Sequence, residues 1–374
     1  MYARHRRAFL DRMADGDLAL FPGASLAVRN HDVEYRFRQN SDYLYLSGHR
    51  EPDGLLLLAR GIEGVPESSL FVLPRDPERE TWTGRRLGPE GAVERLGVEQ
   101  AWPAAELAQR LEEFLPRARR LWYRLGDHPR TDRLVGRILS SARNKSRQGV
   151  HPPAALLDPV PVLHELRLHK DEDELALMRR AAAVTAEAHL LAMAQAGPGL
   201  GEWELEALID YTFRRHGADG WAYATIVAGG ANACVLHYTE NGDQLADGAL
   251  VLIDAGAEFS GYACDVTRSF PVSGRFTPAQ RDVYEIVLAA ERAAVEKCLP
   301  GEPWAGVHEE AVRVLADGLR SLGVLAEPVD EIVEKELYKP WYMHNTSHWL
   351  GLDVHDAGTY TLPGGDRRLL AAGM

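Results

Sequence analysis

Short apolar runs separated by Gly and Pro turns dominate the chain between residues 18 and 75, a pattern typical of buried strands. The runs are Leu18–Phe21, Leu55–Ala59 and Leu70–Leu73. Apolar residues then recur at the three- and four-residue spacing of helices. The segments with this spacing are Gly91–Leu96, Ala104–Phe114 and Thr131–Ala142. Strands and helices together predict a mixed α/β domain for this part of the chain.

A cluster of prolines between residues 149 and 163 separates this part from the rest of the chain. Proline lacks a backbone N–H donor and restricts the chain, so neither a helix interior nor a central strand tolerates this density. We therefore predict a domain boundary here. The first domain is expected to cover residues 1–165 and the second residues 166–374.

The second half alternates amphipathic helices with strand-like runs. Asp171 followed by Glu174 is a capping-box pattern, and it predicts a long helix that ends near Ala196. A second helix is predicted from about Glu202. Strand-like runs and further helical patterns follow in the segments Thr225–Ala228, Ala249–Ala255, Ala279–Cys298 and Trp304–Leu322. The expected fold of this half is α+β, an antiparallel sheet covered by helices.

Length and charge narrow the classes of protein to consider. A chain of 374 residues exceeds what one hydrophobic core usually organises, which favours two domains. The 55 acidic residues against 42 Lys plus Arg leave a net charge of -13, so nucleic acid is not an expected partner. The three cysteines match no disulfide framework, and no apolar run is long enough for a signal peptide or membrane span. We expect a cytoplasmic protein without a membrane partner.

Candidate chemistry begins with two aspartates. The apolar run Leu250–Ile253 ends in Asp254, and a buried carboxylate is costly unless it is paired or binds a metal. Asp265 lies in a second strand-like run, and Gly256 and Gly261 permit a hairpin between the two runs. In such a hairpin the two acids come together on neighbouring antiparallel strands, and their oxygens suit Mn or Mg.

Two isolated aspartates also fit a purely structural arrangement. In that alternative Asp254 caps a turn and Asp265 pairs with Arg268. The histidines favour the metal site, because three of them lie close together near the end of the chain and such clusters commonly bind metal and substrate. They are His344, His348 and His355.

Three long motifs carry a resemblance to a known family. They are SHWLGLDVHD at residues 347–356, VLIDAG with GYACDVTRSFPV at residues 251–272, and CVLHYTEN at residues 234–241. They closely resemble bacterial aminopeptidase P, of the creatinase and methionine aminopeptidase "pita-bread" superfamily. The resemblance extends to residues 40–42 and 84–88. It implies an α/β creatinase-like N-terminal domain and a pita-bread catalytic domain.

The resemblance also implies an activity and a cofactor. The expected reaction is release of an N-terminal residue that precedes proline, by attack of a hydroxide bridging two Mn(II) ions; Zn or Mg are possible alternatives. The matching ligand positions are Asp254, Asp265, which bridges both ions, and His348. Expected partners are peptides with proline at position two and further copies of the chain, as a homo-oligomer (dimer or tetramer).

Further residues match the family's catalytic and supporting positions. His237 matches the residue that stabilises the tetrahedral intermediate, His355 one that contacts the substrate backbone, and His344 one that lines the proline subsite. The supporting positions are Tyr223, which hydrogen-bonds a ligand carboxylate, Arg268 in the same motif as Asp265, Asp42 near the active-site entrance, and Trp82, which reaches a neighbouring subunit in tetrameric members.

Each of these positions has a simpler alternative. His237 is also consistent with a loop histidine that has no catalytic role. Tyr223 is also consistent with a tyrosine that only packs in the core. Trp82 also fits a surface aromatic beside a turn. Asp42, after Ser41, also fits a plain turn.

The sequence departs from the family's pattern in two ligands. The pattern includes two glutamates, one in a Glu-Pro-Gly motif and one on the last strand, and neither has a counterpart before Met374. We therefore expect a catalytic domain that lacks its final strands, in a truncated form that binds metal weakly and has little or no activity.

Three other functions share part of this pattern. They are an Xaa-Pro dipeptidase (prolidase), a noncatalytic pita-bread binding module, and a metal-free amidinohydrolase such as creatinase. Every ligand position that the chain reaches is intact, which favours a peptidase over a degenerate binding module. The aspartate pair argues against the metal-free enzyme.

Overall fold

The computed structural model describes residues 1–374 and divides the chain into two units, Met1–Arg167 and Leu168–Met374. The helices of the first unit are α1 Tyr2–Leu10, α2 Ser41–Ser47, α3 Pro77–Thr83, α4 Gly88–Leu96, α5 Leu107–Phe114, α6 Pro129–Asn144 and α7 Val160–Leu168, which ends one residue into the second unit. Its strands are β1 Asp17–Pro22, β2 Val28–Asn30, β3 Val33–Glu34, β4 Leu55–Arg60, β5 Ser68–Val72, β6 Gln100–Pro103, β7 Arg120–Trp122 and β8 Ala155–Leu157.

A six-stranded mixed sheet in the order β6-β5-β4-β1-β7-β8 forms the centre of the first unit. β1, β4 and β5 pair antiparallel, while the other neighbours pair parallel. The three predicted strands are confirmed as β1, β4 and β5, and nearly all residues of these strands are buried. Helices α5 and α6 contribute buried apolar residues to the same core. The mixed α/β class predicted for this half therefore holds.

The proline-rich segment 149–163 is not a linker. It contains β8, an edge strand of the sheet, and the first residues of α7. Pro161 is the second residue of α7 and lies in its first turn. Backbone N–H groups of the first turn have no acceptor within the helix, so proline costs no helical hydrogen bond there. Helix α7 thus continues beyond the prolines, and the two compact units divide after Arg167, close to the predicted boundary.

The second unit has helices α8 Glu172–Gln195, α9 Glu202–Arg215, α10 Pro278–Glu296, α11 Trp304–Ser321 and α12 Val329–Glu334. Its strands are β9 Gly220–Trp221, β10 Ile226–Gly229, β11 Leu250–Ala255, β12 Ala257–Phe259, β13 Tyr262–Ala263 and β14 Val266–Pro271. They form two antiparallel sheets, β10-β11-β14 and β13-β12-β9. No helix is long and apolar enough to cross a membrane.

Helices α8 and α9 cover the sheets through a shared apolar core. Their buried residues, such as Val184 and Phe213, pack with Val251 and Ile253 of β11. The predicted capping box at the start of α8 is confirmed, since Asp171 and Glu174 exchange backbone-to-side-chain hydrogen bonds of 2.9 and 3.0 Å. The predicted arrangement of an antiparallel sheet covered by helices is correct.

Strand β11 differs from the prediction of a continuous buried run. Val251, Ile253 and Ala255 are buried, whereas Leu252 and Asp254 alternate with them and are partly exposed. Successive side chains of a strand point to opposite faces, so one face joins the core and the other carries Asp254. The Asp254 carboxylate therefore lies on the partly exposed face of β11, opposite the face that packs in the core.

Candidate metal centre

The two aspartates lie on one face of a hairpin. Asp254 in β11 is opposite Thr267 in β14, and the same register resumes between β12 and β13. Asp265 therefore lies opposite Gly256, diagonally across from Asp254 on the same face. The predicted hairpin is correct, except that the second run is interrupted between β13 and β14 and Asp265 lies in the interruption.

Gly256 is required for this close approach of the strands. A Cβ atom at this position would lie 1.6 Å from the backbone oxygen of Cys264. Only glycine lets the backbone around Asp265 come so near, which keeps the two carboxylates on adjoining positions.

The Tyr223 hydroxyl lies between the carboxylates. It donates to Oδ1 of Asp254 at 2.5 Å and to Oδ1 of Asp265 at 2.9 Å. Burial and the two negative charges raise the pKa of Tyr223, so the phenol keeps its proton. Tyr223 is thus a bridging donor, and core packing alone does not account for it.

The electrostatics of the two acids differ. Burial raises the pKa of Asp254, and the charge of Asp265 raises it further. Burial also acts to raise the pKa of Asp265, but hydrogen bonds from His348 and Tyr223 outweigh it and lower that pKa. Two adjacent carboxylates that share one donor form a site that favours a cation.

His348 completes the group of potential ligands. Its Nδ1 donates to the carbonyl oxygen of Trp349 at 2.9 Å, and its Nε2 lies 3.0 Å from Oδ2 of Asp265. Two atoms 3.0 Å apart can both lie at about 2.1 Å from a single ion, the usual length of metal bonds to imidazole and carboxylate. The hydrogen bond from Nδ1 to the backbone also keeps a proton on Nδ1, so that Nε2 is the nitrogen available to a metal.

A second histidine, His355, lies beside His348. The rings of His348 and His355 meet edge to face with centroids 4.4 Å apart. Burial lowers the pKa of His355, and charge on His348, His237 and His344 lowers it further, whereas the charge of Asp265 acts to raise it. His237, His344 and His355 are exposed on this surface. The structure thus brings together the two histidines of the motif at residues 347–356.

The structural alternatives for the aspartates are wrong. Arg268 donates to the carbonyl oxygen of Thr267 at 2.7 Å and lies 3.9 Å from Glu291. It is exposed and makes no ion pair with Asp265. Asp254 is part of β11 and does not cap a turn.

Asp42 and Trp82 belong to the first unit. Asp42 lies in the first turn of α2 and pairs with Arg167 at 2.6 Å and with His164 at 3.3 Å, so the alternative of a plain turn is wrong. Burial opposes ionisation, but the hydrogen bond from His164 and the charge of Arg167 lower the pKa of Asp42 to about 2. Trp82 is 86% exposed in α3.

His189 and Thr267 support Asp254, although the sequence did not predict a role for either. His189 of α8 is buried and its Nε2 donates to the carbonyl oxygen of Ala255 at 3.2 Å. Its charge and a hydrogen bond from Thr267 both act to lower the pKa of Asp254. Thr267 stands in the same motif as Asp265, but a lone histidine within a helix has no sequence signal.

A buried ion pair fixes the loop that carries His348 and His355. Lys170 and Asp356 lie 3.6 Å apart with side chains 3% and 2% exposed. The backbone N–H of Asp356 also donates to the carbonyl oxygen of Trp349 at 2.9 Å. Because residues 335–374 contain no helix or strand, such contacts determine the positions of these histidines.

Two carboxylates that share one hydroxyl, with an imidazole hydrogen-bonded to one of them, are the side chains expected at the site of a metal-dependent hydrolase. The model of metallopeptidase family M24 matches residues 176–374, and that of the aminopeptidase P N-terminal domain matches residues 2–122. The chain belongs to the aminopeptidase P group of metallopeptidase family M24. Its cofactor class is therefore a divalent metal ion.

Relatives and solved structures agree with this assignment. The chain is 44% identical over 374 residues to Xaa-Pro aminopeptidase of Escherichia coli, covering all of this chain and 84% of that protein. Aminopeptidase PepP of Pseudomonas aeruginosa has a TM-score of 0.97 and 44% identity, again over 100% of this chain and 84% of that one. Zinc-substituted Escherichia coli aminopeptidase P in complex with product has a TM-score of 0.96 and 43% identity, with the same coverage of 100% and 84%.

Proposed function

We propose that the protein is an Xaa-Pro aminopeptidase that releases an N-terminal residue linked to a penultimate proline. Its substrates are peptides with proline at position two. The observation that carries the proposal is a pair of carboxylates, Asp254 and Asp265, that share the Tyr223 hydroxyl, with His348 hydrogen-bonded to Asp265. The likeness of the whole of this chain to a protein named for this activity supports it.

Asp254, Asp265 and His348 are proposed to hold the divalent metal, and Asp265 would be shared if two ions bind. We propose Mn(II) as the native ion, because carboxylate-rich sites suit it. A bound divalent ion would lower the pKa of a coordinated water and polarise the scissile carbonyl.

The protein's own groups are proposed to orient the substrate. His237 donates a hydrogen bond to the carbonyl oxygen as negative charge develops there. His355 contacts the substrate backbone, and its lowered pKa favours a neutral ring with both a donor and an acceptor. His344 lines the pocket for the proline ring, and Arg268 has a supporting role. The Tyr223 hydroxyl keeps the carboxylates of Asp254 and Asp265 in place through its hydrogen bonds.

Two further properties are part of the proposal. All three cysteines are free thiols, which supports a cytoplasmic location. The 86% exposure of the Trp82 side chain supports a contact with another copy of the chain in a homo-oligomer. Light scattering of the purified protein measures the number of subunits.

Hydrolysis of matched peptides tests the function. Protein loaded with Mn(II) should release the first residue of an Xaa-Pro-Xaa tripeptide, and chelation should stop the release. Comparison with an Xaa-Pro dipeptide separates aminopeptidase from dipeptidase activity. Turnover that persists in excess chelator would reject a metallopeptidase. Tight metal binding without turnover of any proline peptide would favour a noncatalytic module.

A further inference from the structure

The carboxylate of Glu202 is completely buried in the second unit, with 0% exposure, at the first position of α9. It accepts hydrogen bonds from the backbone N–H groups of Gly229 at 2.7 Å and Asp243 at 2.9 Å. These two residues lie at the two ends of the segment 229–243, which carries His237. Glu202 therefore closes this segment into a loop.

Two side chains from inside the loop also donate to Glu202. The Tyr238 hydroxyl donates to Oε2 at 2.8 Å, and Nδ2 of Asn232 lies 3.1 Å from Oε1. Asn232 also lies 3.0 Å from the Tyr238 hydroxyl. A buried carboxylate with four donors is fully compensated, and hydrogen bonds to a charged group are the stronger kind.

Asn241 provides a second attachment of the same loop. This residue is 1% exposed, accepts from the N–H of Val227 at 2.9 Å and donates to the carbonyl oxygen of Thr225 at 2.9 Å. It adopts a positive φ of 45°, a conformation that asparagine tolerates better than most residues. His237 thus lies in a loop held at Tyr238 and at Asn241.

Apolar packing does not hold this part of the loop. Val235 and Leu236, the two residues before His237, are 54% and 58% exposed. The His237 side chain is exposed as well. Since burial contributes little here, the polar contacts of Glu202 and Asn241 determine where His237 lies.

We infer that Glu202 is a positioning residue, which acts through the Tyr238 hydroxyl to hold His237 at the metal centre. The inference rests on the proposed function for the role of His237. Tyr238 is the immediate chain neighbour of His237, so a shift of the tyrosine moves the histidine backbone directly. An error of a fraction of an ångström in a group that stabilises developing charge is enough to lower the rate.

Hydrogen exchange of the metal-free protein tests the attachment without any need for turnover. In Tyr238→Phe, and more strongly in Glu202→Gln, deuterium uptake in peptides covering residues 230–242 should rise about fivefold or more, with α8 and β11 unchanged. Tyr211→Phe is the matched control, because Tyr211 is a 60% exposed tyrosine of α9. Unchanged uptake in residues 230–242 would overturn the inference.

A double-mutant cycle tests whether the effect passes through His237. In metal-loaded protein, Tyr238→Phe should lower kcat about tenfold with little change in KM or metal affinity, as expected for loss of a hydrogen bond to a charged group. In a His237→Ala background the same change should have less than about a twofold effect. Equal losses in both backgrounds would overturn the inference. Raised exchange in a protein without metal-dependent turnover would support the attachment and reject the proposed function.

Discussion

The Nε2 atom of His348 lies 3.0 Å from a carboxylate oxygen of Asp265, although 83 residues separate the two in the chain. One comes from a loop without regular structure and the other from an interruption between two strands. Asp265 also raises the pKa of His348 through this hydrogen bond. A metal that binds both groups must displace the proton they share, so metal binding and protonation compete here.

The contact predicts the effect of replacing Asp265. In Asp265→Asn the site loses a charged ligand, and affinity for Zn(II) should fall by at least about a hundredfold, more than the loss typical of residues that only support a ligand. Isothermal titration calorimetry measures the change. Asp247→Asn is the control, since Asp247 is exposed. Equal zinc affinity in both variants would show that Asp265 is not a ligand.

Removal of the Tyr223 hydroxyl should lower the stability of the metal-free protein more than that of the metal-bound protein. In Tyr223→Phe the two carboxylates lose their common donor, at a cost of about 1–3 kcal/mol for buried acceptors left unsatisfied. Bound metal neutralises the same oxygens and should reduce this loss. Urea unfolding with and without Zn(II) gives both values. An identical loss in the two conditions would argue against a shared carboxylate and metal site.

Gly256 should not accept a side chain. In Gly256→Ala the new Cβ would overlap the backbone oxygen of Cys264, so the strands must separate. We expect a loss of at least about 3 kcal/mol in the free energy of unfolding, at the upper end for overpacking, together with loss of metal binding. Gly197→Ala is the control, because a Cβ added there would have no atom within 4 Å. Denaturant unfolding of both variants measures the difference, and equal stability would show that the strands can separate at little cost.

The low pKa of Asp42 predicts acid sensitivity of the first unit. Its folded pKa of about 2 lies below the ordinary value, so its contribution to stability is full above pH 4 and is lost as the pH falls toward 2. At neutral pH, Asp42→Asn should cost about 2–3 kcal/mol, and the difference from wild type should shrink in acid. Asp15→Asn, at an 83% exposed side chain, is the control. A difference independent of pH would show that the ion pair is not its cause.

Much of the fold follows from local patterns in the sequence. Continuous apolar runs between turn residues identified β1 and β4, because a strand buried on both faces has that pattern. Amphipathic spacing identified α11, because burial of one helix face requires it. The capping box at Asp171 located the start of α8 to the residue. Gly256 and Gly261 indicated the hairpin of the two aspartates, since turns and close strand contacts impose local requirements that only a few residue types meet.

The contacts that assemble the site had no such signal. Tyr223 reaches two carboxylates 31 and 42 residues away, and Asp42 reaches Arg167 across 125 residues. Glu202 accepts hydrogen bonds from four donors in the segment 229–243, whose sequence has no periodic pattern. Side-chain periodicity determines which face of an element is buried, but it does not specify which distant element packs there. That choice depends on the path of the intervening loops and on whether each buried charge finds its donors, and both are properties of the folded chain as a whole.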